Sequence, residues 1–94
     1  MGGNSMDCYN IMILLVNNRV KNAVKLQDVL TESGCMIKMR LGLHDADAAA
    51  DVCSNDGLII LHLAGSDEDI SALEKKLNSL EGVKAKNSKI CKDW

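Results

Sequence analysis

Apolar and polar positions divide this chain into six blocks. Tyr9 to Val16, Y-N-I-M-I-L-L-V, is almost wholly apolar and stops at Asn17-Asn18. A short strand this apolar on both faces belongs in the middle of a sheet. Arg19 to Ser33 reads as a helix, with Asn17 or Asn18 as its cap and Val20, Ala23, Val24, Gln27 and Leu30 as its stripe. Gly34 is placed to end it in the left-handed conformation common at helix C-termini. Met36 to Leu43 alternates, with Ile37, Met39, Leu41 and Leu43 on one side and Lys38 and Arg40 on the other, the pattern of an edge strand. Gly57 to Ala64, G-L-I-I-L-H-L-A, is again apolar on both faces and again central. Ser66 opens a second helix, Ser66 and Asp69 resembling a capping box, with Ile70, Leu73, Leu77 and Leu80 as the apolar stripe. Gly82 closes that helix, and Val83 to Ile90 is a half-polar last strand.

The order β-α-β-β-α-β, with the first and third strands the more apolar, predicts an α+β ferredoxin-like sandwich. In it the first and third strands lie in the middle of a four-stranded antiparallel sheet of order 4-1-3-2. Both helices are expected on one face. Residues 7–91 form this single domain, between an N-terminal tail, 1–6, expected to be flexible, and a C-terminal tail, 92–94.

The arrangement leaves one sheet face uncovered. Either Met12, Leu14 and Val16 or Ile11, Ile13 and Leu15 must point outward, and the alternation does not choose between them. On the third strand the sets are Ile59, Leu61 and Leu63 against Leu58, Ile60 and His62. Lys38, Arg40, Lys84 and Lys86 are expected to form a basic rim on the open side. A soluble monomer rarely exposes such a patch. The expectation is a homodimer or higher homo-oligomer, joined sheet to sheet or edge to edge. An apolar centre with cations at its rim also suits an anionic ligand or a protein partner, and both uses fit one surface.

Composition narrows the classes. The 94 residues suffice for one domain that buries roughly 60–65% of its unfolded surface. Phe is absent and Tyr9 and Trp94 are the only aromatics, which argues against binding nucleic acid by base stacking. A net charge of −2 gives no electrostatic footprint for DNA or RNA. The apolar runs are too short to span a membrane, and no signal peptide is evident. Cys8, Cys35, Cys53 and Cys91 form no C-x-x-C pair and read as reduced thiols of a cytoplasmic protein.

Candidate chemistry is sparse. His44 to Asp56 collects His44, Cys53 and four aspartates, donors a transition metal could use, but their spacing matches no ligand pattern and no metal or other cofactor is expected. His62, inside a strand, reads as a structural residue or an interface contact. Asn17, Asn18 and Arg19 follow a central strand at a helix start, where backbone N–H groups can hold an anion, and are the candidate ligand-binding residues. No G-x-S-x-G, P-loop or G-x-G-x-x-G occurs, and the chain is expected not to be an enzyme.

Residues 9–90 resemble the small ACT-like domains described as regulators of the iron-only hydrogenase system, whose fold is related to the C-terminal domain of the nickel-responsive regulators. The resemblance rests on L-G-L at Leu41 to Leu43, on D-G-L-I-I-L-H-L-A-G at Asp56 to Gly65, and on the acidic helix start followed by Ile70, Ala72, Leu73, Lys76, Leu77, Gly82, Val83, Lys84 and Lys86. Asn17-Asn18 stands where amino-acid-binding ACT domains typically use a glycine. The resemblance implies a non-enzymatic regulatory or ligand-sensing module acting as an oligomer, with a small-molecule effector or a protein partner. The alternatives are a small enzyme of acylphosphatase or dimeric-barrel type on the same fold, and an assembly domain without ligand.

Overall fold

A computed structural model of the chain describes residues 8–17, 19–43 and 57–93; for 19–22 and 43 only the backbone is described. The elements are β1 (Cys8–Val16), α1 (Arg19–Glu32), β2 (Ile37–Leu43), β3 (Gly57–Leu63), α2 (Asp67–Asn78) and β4 (Val83–Cys91). They build one four-stranded sheet of order β2-β3-β1-β4. Every neighbouring pair is antiparallel. This is the ferredoxin-like α+β arrangement expected from the order of blocks.

Burial decides which side of each central strand meets the helices. Met12, Leu14, Val16, Leu61 and Leu63 are buried together with Leu26, Val29 and Leu30 of α1 and Ile70, Leu73 and Leu77 of α2. Ile11, Ile13 and Leu15 therefore lie on the open face. So do Leu58, Ile60 and His62, their partners in the β1–β3 register.

The α1 stripe differs from expectation. Leu26, Val29 and Leu30 are buried, whereas Ala23, Val24 and Gln27 are exposed, Val24 at 72%. Both sets contain Leu30 and three- and four-residue steps. The set with Leu26 and Val29 is wholly apolar, whereas the other includes small Ala23 and polar Gln27, so burying the first removes more apolar surface from water. Helix α1 also ends without a left-handed glycine. The amide of Ser33 donates to the carbonyl of Val29 and that of Gly34 to Thr31, and among the described residues the positive-φ glycines are Gly65 and Gly82.

Helix α2 begins as expected, the Ser66 hydroxyl accepting from the Asp69 amide at 3.0 Å. It ends at Ser79, which caps it in a right-handed conformation. Gly82, at φ 80°, is thus not its cap. It is the third residue of the turn Leu80 to Val83, closed by the Val83 amide on the Leu80 carbonyl at 3.3 Å. That position of a type II turn requires positive φ.

Two of the four cysteines are not free thiols. Cys8 and Cys91 are partners in the β1–β4 register and form a disulfide spanning 83 positions of sequence. Wide spacing hid the pair, because antiparallel outer ends bring the extremes of the chain together. Cys35 is a free, exposed thiol. Cys53 lies outside the described residues.

Candidate functional site: the open face of the sheet

Side-chain alternation assembles the open face from all four strands. β1 gives Tyr9, Ile11, Ile13 and Leu15; β3 gives Leu58, Ile60 and His62. β4 places Lys84, Lys86, Ser88 and Ile90 opposite Leu15, Ile13, Ile11 and Tyr9. On β2 the register shifts between Ile37 and Met39. Beyond the shift Met39 pairs with His62 and Leu41 with Ile60, so both join the open face, while Ile37 packs against the core.

The bulge corrects the expected rim. Arg40 pairs with buried Leu61, on the helix side, and its guanidinium donates to Gln27 of α1 at 2.9 Å. Lys38 sits at the register shift, exposed. Strict alternation from Ile37 would have put Met39 and Leu41 inside; one extra residue reverses the sides. The cations facing this surface are therefore Lys84 and Lys86, both on β4 and both exposed.

Among the described residues seven large hydrophobic side chains are exposed, and six of them (Tyr9, Ile13, Leu15, Met39, Leu41 and Ile90) lie on this face, Val24 being the exception. Tyr9 and His62 bring their rings to 5.7 Å between centroids at the end of the patch. No strand position on this face carries Asp or Glu. The described ion pairs, Lys76–Glu32 at 2.6 Å and Lys89–Asp67 at 3.2 Å, lie elsewhere, and neither Lys84 nor Lys86 enters one.

The edges beside the face are guarded. Along β4 the Asn78 side chain accepts from the Ala85 amide at 2.8 Å and donates to its carbonyl at 2.9 Å. Glu74 accepts from the Asn87 amide at 2.8 Å. Side chains of α2 thus occupy backbone groups on which an added strand would pair. A bulge blunts the β2 edge, another common protection.

Comparison with known proteins places the architecture. No family model matches the chain, and no curated protein matches it. Among solved structures, the uncharacterized protein TM1266 from Thermotoga maritima superposes with a TM-score of 0.74, at 24% identity, over 87% of this chain and 95% of that one. CPII from Thiomonas intermedia K12, a nitrogen regulatory PII-like protein, matches in its apo form with a TM-score of 0.54, at 12% identity, over 88% and 89% of the two chains. A formyltetrahydrofolate deformylase from Pseudomonas putida KT2440 matches at 0.52 and 10% identity over 85% of this chain but 28% of its own. These likenesses share the ferredoxin-like fold.

The remaining candidates are less informative. The Asn17 amide donates to the Gly82 carbonyl at 2.7 Å, tying the end of β1 to the turn before β4. Asn18 and the side chain of Arg19 lie outside the described residues, as does the whole His44 to Asp56 segment. Among the described residues no three His, Cys, Asp or Glu side chains group to hold a metal. No helix there is long and apolar enough to cross a membrane. Sequence reasoning missed Met39 and Leu41 as open-face residues, since nothing in I-K-M-R-L-G-L marks the bulge.

Proposed function

We propose that this chain is a non-enzymatic regulatory module that self-associates through the open face of its sheet and responds to a small ligand held there. The observation that carries the reading is the gathering, on one surface between two guarded edges, of six exposed apolar side chains and two lysines with no ion-pair partner among the described residues. A contiguous apolar surface of this kind marks an interaction site. The ferredoxin-like fold supports the regulatory part, because a nitrogen regulatory PII-like protein is among its structural neighbours and CPII has been seen with ADP, AMP and acetate bound. Within that class, the resemblance of residues 9–90 to ACT-like hydrogenase regulators makes regulation of an iron-only hydrogenase system the specific role proposed; the Cys8–Cys91 disulfide removes the cysteine argument for a cytoplasmic location. With no basic stripe or stacking aromatics, its output passes through a protein partner rather than by direct contact with nucleic acid.

Sedimentation equilibrium across the micromolar range, beside a thermal-shift screen of amino acids, nucleotides and small carboxylates, tests the reading. A reversible oligomer whose melting midpoint rises with at least one ligand is expected. A clean monomer throughout the range rejects self-association. An oligomer indifferent to every ligand reduces the chain to an assembly domain.

A further inference from the structure

Two hollows of similar size, each about 290 Å³, open on the surface of the described residues. One lies between the end of α1 and α2, lined by residues that include Glu32, Cys35 and Lys76. Its lysine is already neutralised by Glu32 at 2.6 Å. The other lies on the open face, floored by Ile13 and Leu15 and flanked by Lys84, Lys86 and Ser88, with Ala85, whose side chain packs against the core, between the two lysines. Among the described residues its cations have no carboxylate partner. Only the second hollow joins an apolar floor to unsatisfied charge of one sign.

From this hollow we infer a binding site for an aliphatic anion, a small molecule with a carboxylate or similar head on an unbranched hydrocarbon body. Lys84 and Lys86 are two residues apart on one strand, so their stems leave the backbone about 7 Å from each other on the same side. One anionic head between them can take a charge-assisted hydrogen bond from each ammonium. Ile13 and Leu15, 45% and 48% exposed, then cover the hydrocarbon body and lose contact with water. The volume sits at the lower limit of small-molecule sites, about 300 Å³, which suits a chain of several carbons rather than a nucleotide.

The site rests on the proposed self-association for its regulatory meaning. In a symmetric pair each copy presents the same surface to the other. Because the described part of that surface carries lysines and no carboxylate, it offers a second copy no counter-charge, and closing it would take Lys84 and Lys86 from water unpaired. A bound anion supplies the missing charge. Ligand and self-association are then coupled, each strengthening the other by the same factor.

The test uses the full chain with octanoate as probe, and inorganic phosphate and octylamine as the head alone and the wrong charge. Binding is measured calorimetrically, and mass by sedimentation equilibrium with and without probe. Octanoate is expected to bind, phosphate and octylamine at least tenfold more weakly. Octanoate is also expected to tighten self-association about tenfold. The double variant Lys84→Gln/Lys86→Gln, its folding checked by circular dichroism, is expected to lose at least tenfold in octanoate affinity. Lys25→Gln/Lys75→Gln, with the same change of net charge elsewhere, is expected to retain it.

Octanoate binding that survives Lys84→Gln/Lys86→Gln overturns the site, as does phosphate binding equal to that of octanoate. A chain that pairs by this face yet does not bind octanoate overturns the site and leaves self-association standing. A chain that binds octanoate through the two lysines but remains monomeric supports the site and rejects self-association. Co-sedimentation with phosphatidylglycerol vesicles, without any response to octanoate, overturns it in favour of a membrane surface.

Discussion

Leu77 and Ile13 are both aliphatic, yet their surroundings give them opposite weight. Leu77 is wholly buried among the two helices and the inner sheet face, whereas Ile13 is 45% exposed. Leu77→Ala removes core atoms and leaves a cavity, and is expected to lower the unfolding free energy by about 2–5 kcal/mol. Ile13→Ala leaves solvent where solvent already was, and is expected to cost less than about 1 kcal/mol in dilute protein. Urea titration of the two variants checks the contrast, and equal losses would reverse the assignment of inner and outer faces. Asn78 is a different case, because one exposed amide serves both Ala85 backbone groups and the Glu74 carbonyl. Since water can replace these bonds, Asn78→Ala is expected to cost about 1 kcal/mol. Its larger effect is on solubility, measurable by turbidity on storage, because it uncovers the β4 edge.

At the level of elements, α2 was the most legible in the sequence. Ser66 and Asp69 announce its start and Ile70, Leu73 and Leu77 its inner face, and each acts locally. Strand order was legible for a related reason: β1 and β3 are apolar throughout, which only central strands sustain. Three features depended on contacts distant in sequence and could not be read. The inner side of β1 is chosen by burial against both helices, the bulge at Lys38 by pairing with β3, and the disulfide by pairing of Cys8 with Cys91. The candidate site was accordingly half visible, Lys84, Lys86 and His62 on the open face but Arg40 on the other. Gly82 was recognised as a stop, although its φ of 80° serves the turn into β4. A side chain there must hold the left-handed region, so Gly82→Ala is expected to cost about 1–2 kcal/mol by thermal melting. The disulfide closes nearly the whole described chain. Loop-closure entropy sets its contribution at no more than about 4–5 kcal/mol, and reduction is expected to lower the melting midpoint markedly without abolishing the fold.

For the whole molecule the decisive question is what covers the open face. Four strands about 4.8 Å apart and some seven residues long give a face of about 19 by 23 Å, or about 440 Å² in projection. The area that two copies would bury face to face is then at or below the standard interface of ~800 Å² per partner. That size, with lysines at one border, fits a transient, adjustable pair rather than an obligate one. If the face is the interface, one charge placed at its centre separates the copies without unfolding either. Ile60→Asp and Ile11→Asp, on the central strands β3 and β1, are each expected to leave the chain folded by circular dichroism and monomeric by sedimentation equilibrium. Val24 supplies the control, since it is the most exposed large hydrophobic among the described residues, at 72%, and lies on α1 away from the sheet. Val24→Asp is expected to leave the association constant within about twofold of the parent. If Val24→Asp dissociates the oligomer and the open-face variants do not, the helices rather than the sheet join the copies. The apolar face would then be left for a different protein.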